Sequence, residues 1–316
     1  MGTYSLVNGK VINPGYCEVY LSQHCNLACR TCQHLSPIYN IGFFDVGKIV
    51  NDLNIVKKYY RPQGLKILGG EPLLYPRICD ALKAIRETQF ADKIRICTNG
   101  VLLHKMPMEF WELFDELEVS VYPGHEPDIE YLKKMAPVLE KRKVMVAVVY
   151  YTHFREGYSE IGTKDETLVR KIYDSCHIVH TWKSHAIVNG RFYKCPESYF
   201  ISTGLDERFS NVSPDGIKIS DSLEFGNELL GFLETKEPLE TCNACLGTSG
   251  KNVAHEQQRN KHLWKEWQKK PTEELIDYEQ MERSGEEIKY NKPEALLGNS
   301  EIHYLTKYKL FNSFTS

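Results

Sequence analysis

The sequence predicts an α/β fold with a barrel-like, mainly parallel sheet, followed by a small cysteine-rich domain and a helical tail. Three observations predict it. Short β-branched runs alternate with helical patterns over the first two thirds of the chain. Three thiols, Cys25, Cys29 and Cys32, stand directly behind the apolar run Val19-Tyr20-Leu21, and a second set of four lies between Cys176 and Cys245. These divide the chain into residues 1–175, 176–250 and 251–316.

Composition bounds the function. At 316 residues and 42% hydrophobic, the chain is long enough for one large domain and a smaller one. A net charge of -3 argues against a nucleic-acid partner, which would require a basic excess. Met1 to Pro14 lacks a basic stretch followed by an apolar one, and no segment approaches 18 uncharged apolar residues, so a cytoplasmic protein without a membrane partner is expected. Ten cysteines suit a reducing compartment, where thiols serve metals or catalysis.

The elements follow in order. Glu18 to Leu21 reads as a strand, and Val46, Ile49, Val50, Leu53, Val56 and Tyr60 recur at helical spacing behind a cap at Asp45. Leu65 to Leu68 is a strand ended by Gly69-Gly70, with a helix from Pro76 to Thr88 behind it. Lys93 to Cys97 is a strand ended by Asn99-Gly100, and Leu117 to Val121 one stopped by Pro123-Gly124. A helix over Glu126 to Lys141 leads into the apolar strand Val144 to Tyr150. This order predicts parallel pairing, with functional groups on the C-terminal rim, where the cysteine loop and the double glycine both fall. Later, Asn189-Gly190 between apolar runs predicts a hairpin. Helices are expected over Val253 to Lys269 and Thr272 to Arg283, with Trp264 and Trp267 anchoring the first, before a polar terminus.

Spacings of three and two residues let one loop set its thiolates around a single metal centre and leave one coordination position open. Zinc, the competing occupant, usually joins two paired knuckles in a closed tetrahedron. Cys25-x3-Cys29-x2-Cys32 behind a strand, with Gly69-Gly70-Glu71-Pro72 after the next apolar run, resembles the radical S-adenosylmethionine (radical SAM) superfamily. The resemblance implies a partial (β/α)6 TIM-like barrel and a 4Fe-4S cluster whose open iron binds S-adenosylmethionine. One electron, from a reductant of flavodoxin or ferredoxin type, then releases a 5'-deoxyadenosyl radical that removes a hydrogen atom from the substrate. It further implies that Gly69 and Gly70 bring backbone carbonyls to the methionine ammonium, that Glu71 adds a charge-assisted contact beside Pro72, and that Asn99 and Ser120 hold the ribose or carboxylate. Thr31 departs from the aromatic residue that the family places before the third cysteine to pack on the adenine.

The second set is Cys176, Cys195, Cys242 and Cys245. A hairpin and a knuckle supply four thiols, a closed set that suits zinc as well as iron-sulfur. Behind a radical SAM core the pattern resembles the Twitch domain, the short form of SPASM, which carries an auxiliary 4Fe-4S cluster able to accept the electron left on an oxidised substrate. Further resemblance to carbohydrate-modifying members, of the 2-deoxy-scyllo-inosamine dehydrogenase and neomycin C epimerase types, implies a sugar, aminocyclitol or glycoside substrate. From the dehydrogenase type, Glu197 and Arg155 become the substrate-contacting candidates; their residue types suit holding a hydroxyl and taking its proton. Radical epimerisation needs a hydrogen donor instead, and among the spare thiols Cys17, Cys79 and Cys97 only Cys97 lies on the active rim. Peptide modification is the remaining alternative. Oxidation of a carbinol is the first expectation; His34, His177, His180 and His185 are read as hydrogen-bonding residues, with His34 placed to reach substrate or cofactor.

Overall fold

A computed structural model describes residues 4–205, 213–284 and 301–304. The chain opens with β1 (Ser5–Val7) and β2 (Lys10–Ser22), then runs α1 (Val46–Val56), β3 (Tyr60–Gly69), α2 (Ile78–Glu87), β4 (Ile94–Thr98), β5 (Glu116–Val121), α3 (Ile129–Lys141) and β6 (Met145–Tyr150). The second half holds β7 (His153–Arg155), α4 (Glu166–Asp174), β8 (His185–Val188), β9 (Arg191–Tyr193), α5 (Pro196–Leu205), β10 (Gly216–Lys218) and α6 (Leu223–Glu234). It closes with β11 (Asn252–Ala254), α7 (Lys261–Glu266), α8 (Thr272–Leu275), α9 (Tyr278–Ser284) and β12 (Glu301–Tyr304).

One sheet in the order β10-β9-β8-β2-β3-β4-β5-β6-β12 organises the molecule. Strands β2 to β6 are parallel, as their alternation with helices predicts. The sixth parallel strand comes from an unexpected place. It is β8, which pairs with β2 on the side away from β3, so the cysteine-bearing hairpin continues the main sheet. All four residues of β8 are buried, as a strand covered on both faces requires. The expected turn at Asn189-Gly190 is present, with φ of 50° and 78°, and it aims β9 back along β8.

Helices cover one face of the sheet. Ile49, Leu53 and Val56 of α1 and Ile78, Ala81, Leu82 and Ile85 of α2 bury their apolar side, and a single hydrophobic cluster runs through the molecule from Val11 to Trp264. The inner face is charged. Glu18, Lys66, Arg95 and Glu116 are register partners across β2, β3, β4 and β5, and therefore share one face. Lys66 Nζ lies 3.6 Å from Glu18, and Arg95 pairs with Glu116 at 2.7 Å and with Glu118 at 3.1 Å.

Three expectations are corrected. The first strand begins at Lys10 rather than Glu18, because a bulge between Asn13 and Tyr16 absorbs the Pro14-Gly15 pair. No helix spans 253–269: Asn252 to Ala254 pairs with β7, and only Lys261–Glu266 is helical. The helix expected over 272–283 is broken at Ile276 and Asp277, where Gly250 bridges Ile276 and Asp277 N donates to Ser249 O at 2.8 Å. The described part of 251–316 is thus mixed rather than helical, and the polar terminus lies outside the described residues except for the backbone of β12. Among the described residues no helix is long and apolar enough to cross a membrane.

Candidate active site

Both rim motifs meet at the C-terminal ends of β2 and β3. Gly70 N donates to Ser22 O at 2.9 Å and Glu71 N to His24 O at 3.1 Å, laying the turn after β3 along the entry to the cysteine loop. A Cβ on Gly70 would stand 2.2 Å from His24 O, so only glycine permits this approach. Glu71 is fully buried. Its Oε1 accepts from Leu73 N (3.0 Å) and Thr98 Oγ1 (2.6 Å), and its Oε2 from Asn99 N (2.8 Å). Burial pushes its pKa up to about 7 against these three donors. Glu71 therefore ties the ends of β3 and β4 together, and Pro72 opens the turn it caps. Asn99 is brought to the cysteine loop: its Nδ2 donates to Asn26 Oδ1 at 2.7 Å and lies 3.6 Å from Cys25 Sγ.

The charges of the three loop thiols act on one another. Burial raises the pKa of Cys25 above the ordinary thiol value, and the charges of Glu71, Cys32 and Cys29 add to it. Burial and then Cys32 push Cys29 up to about 12. The loop nevertheless surrounds the sulfurs with N–H groups. Leu27 N donates to Cys25 Sγ at 3.3 Å, Gln257 Nε2 donates to Cys29 Sγ at 3.3 Å, and the backbone at Ser36, His34 and Leu35 hydrogen-bonds Cys32. Thiols that repel as thiolates yet face N–H donors fit a cationic centre, which alone removes the cost of ionising them. An iron-sulfur cluster is such a centre. Among the described residues no three His, Cys, Asp or Glu side chains meet as ligands of one single ion.

The second cysteine set converges on one cavity, lined by Cys176, Cys195, Cys242 and Cys245 together with Ile172, Val179 and Leu239. Asp215 fixes the knuckle by accepting from Glu240 N (2.7 Å) and Thr241 N (2.9 Å). Burial raises all four thiols, Cys176 to about 11 and Cys242 to about 12, and charge repulsion between them adds to it. Lys194 is buried nearby with its pKa lowered to about 8 by desolvation, opposed by the charge of Cys242. These donors also fit a thiolate-bound cationic centre.

Glu197 lies between the cavity and the charged face of the sheet. Its Oε2 accepts from Cys195 Sγ at 3.1 Å, and burial, then the charge of Glu18, raises its pKa to about 7. Arg155 is half-buried, donates from Nη1 to Thr248 O at 2.7 Å, and acts electrostatically on Tyr151 and Cys176. Cys97 is the register partner of Glu118 and is held as a thiol by burial and then by the Glu118 charge. Ser120 hydrogen-bonds Tyr122 and Tyr151. His34 packs edge-on between Tyr20 and Phe200, and burial lowers its pKa. Cys17 is buried in the core as its type predicts, and Cys79 is half-buried in α2.

Sequence reasoning missed several of these residues. Glu18, Lys66, Arg95 and Glu118 carried one available signal, charged residues at alternate positions of otherwise apolar strands. Tyr122, His255 and Gln257 carried none.

Residues 19–148 match the radical SAM superfamily. A GTP 3',8-cyclase of Limosilactobacillus fermentum is 29% identical over 112 residues, 34% of this chain and 33% of that protein. One of Lactiplantibacillus plantarum is 27% identical over 112 residues, again 34% and 33%. The chain thus spans about a third of the length of these curated relatives. A crystal structure of BtrN in complex with AdoMet and 2-DOIA is similar with a TM-score of 0.42 and 18% identity, covering 60% of this chain and 76% of that one. Streptococcus suis SuiB bound to S-adenosylmethionine gives a TM-score of 0.38 and 16% identity over 73% and 68% of the two chains. The segment that matches the radical SAM superfamily, residues 19–148, carries the three thiols on the rim of the parallel sheet.

Proposed function

We propose that the protein oxidises a carbinol carbon of a sugar or aminocyclitol. When bound to Cys25, Cys29 and Cys32, a 4Fe-4S cluster with S-adenosylmethionine supplies hydrogen-atom abstraction. Asn99, beside Cys25 at the rim, is the residue best placed to orient that cofactor. Turning a carbinol into a carbonyl removes two electrons and two protons. The abstracted hydrogen atom accounts for one of each. Glu197, with its pKa near 7, is suited to take the hydroxyl proton at neutral pH. Arg155 is suited to hold the substrate oxygen.

The observation that carries the reading is the position of Glu197, in hydrogen-bond contact with Cys195 and under the charge of Glu18 from the sheet interior. A proton acceptor for the substrate then stands beside four thiols suited to a second 4Fe-4S cluster, the group that would take the remaining electron. A redox-neutral epimerisation is the second reading, favoured by Cys97, whose raised pKa keeps the S–H bond that a hydrogen donor needs.

Iron content of the anaerobically reconstituted chain tests the two-cluster reading. About eight irons are expected, falling to about four in a Cys25, Cys29 and Cys32 triple alanine variant. About four falling to none would remove the second cluster and the oxidation with it. With aminocyclitols deuterated at each carbinol carbon, deuterium is expected in 5'-deoxyadenosine, and Glu197→Gln is expected to lower turnover about 10²-fold or more. A product that keeps its carbinol with a solvent-derived hydrogen in place of the deuterium, and whose formation is lost in Cys97→Ala while deuterium still enters 5'-deoxyadenosine, would establish epimerisation instead.

A further inference from the structure

Residues 255–264 fold over the cysteine loop from outside the matched superfamily segment. Arg30 N donates to Glu256 O at 2.9 Å and Gln258 N to Ala28 O at 2.7 Å, pinning the two segments antiparallel around Cys29. Trp264, fully buried, donates from Nε1 to Cys29 O at 2.8 Å. Within this clasp Ala28 N donates to Gln257 Oε1 at 2.6 Å. That bond fixes which way the amide points. Gln257 Nε2 consequently faces Cys29 Sγ at 3.3 Å, and His255 Nε2 stands 3.2 Å from the same sulfur. The imidazole is stacked on Tyr122, centroids 4.9 Å apart and planes 17° from parallel. An amide nitrogen has no lone pair to accept with, so Gln257 donates to the sulfur whichever nitrogen of His255 carries the proton.

We propose that Gln257, seconded by His255, sets the reduction potential of the cluster on Cys25, Cys29 and Cys32 through its hydrogen bond to the Cys29 sulfur. The inference rests on the reading of that loop as a cluster site. Hydrogen bonds to ligand sulfurs are one of the levers that set iron-sulfur potentials. Reduction adds negative charge to the sulfurs, so an N–H donor favours the reduced state more than the oxidised one. Gln257 is in this sense a positioning residue. Cys25 and Cys32 take their side-chain donors, Asn99 and Ser36, from inside the matched segment, whereas Cys29 takes Gln257 from more than two hundred residues away.

The test is a potentiometric titration of the full, anaerobically reconstituted chain, following by electron paramagnetic resonance the signal that a Cys25→Ala variant lacks. Gln257→Leu and Gln257→Met, neither of which adds charge, are expected to move the midpoint of that signal to more negative potential with full iron content. Trp264→Phe, which removes the bond to the Cys29 carbonyl and none to sulfur, is expected to leave it in place. An unmoved midpoint in the Gln257 variant that retains iron would overturn the proposal, as would an equal shift in Trp264→Phe. A wild-type chain without any signal dependent on Cys25 would instead overturn the cluster reading itself.

Discussion

His185 shows how far one side chain answers to its surroundings. It begins β8, fully buried where that strand meets β2, and its two ring nitrogens contact the Tyr4 hydroxyl at 2.9 Å and Lys194 O at 3.0 Å. Desolvation lowers its pKa to about 3, and the charges of Lys194 and Lys183 act the same way. The folded pKa lies below the unfolded value of about 6.5, so the stabilising contribution is complete above pH 6.5 and is lost progressively as pH falls towards 3. Between pH 7 and pH 5 the loss is about 2 kcal/mol. In urea unfolding at these two pH values, His185→Phe is expected to lose stability at pH 7 but to narrow the gap between them by about 2 kcal/mol relative to wild type. An unchanged gap would mean that the imidazole titrates in the fold as it does in the unfolded chain.

At the scale of elements, the rim depends on backbone meeting backbone. Gly70 faces the His24 carbonyl, which cannot swing aside as a side chain would, so Gly70→Ala is expected to cost about 1–3 kcal/mol and to lower the iron bound at the Cys25 loop. Gly231 in α6 has nothing within 4 Å of the equivalent position, and Gly231→Ala is expected to be neutral or stabilising by up to about 1 kcal/mol in a thermal melt of both variants beside wild type. These glycines also mark what a sequence can express. Gly69-Gly70 and Asn99-Gly100 end strands by local chemistry, and so five of the six parallel strands were legible, whereas β8 was not. The start of β2 was not, because Asn13-Pro14-Gly15 reads as a turn until Tyr60 and Lys183 O are seen to hold Asn13 in a bulge. The expected helix takes in Val253 and Ala254 because their pairing with β7, about a hundred residues earlier, leaves no local trace. The row Glu18, Lys66, Arg95 and Glu116 exists only once register is set, and register is a property of four strands together.

Across the whole molecule, the two cysteine sites are joined by main-chain hydrogen bonds rather than by a hinge. Cys17 and Glu18 of β2 pair with His185 and Ala186 of β8, and Ser184 Oγ donates to Glu18 Oε1 at 2.8 Å. Hydrogen exchange is expected to protect β8 as strongly as β2, both opening only with global unfolding. Exchange of β8 well ahead of β2 would show that the hairpin opens on its own. The clasp over the cysteine loop also has a consequence in time. Cys29 and His255 are 226 residues apart in the chain, so at about 5–20 residues per second the loop leaves the ribosome about 10–45 s before its cover has been made. For that interval Cys29 lacks the Gln257 donor and the indole that holds its carbonyl. Nascent chains must carry these thiols bare, and metal inserted during synthesis enters an open loop that residues 255–264, made later, then cover.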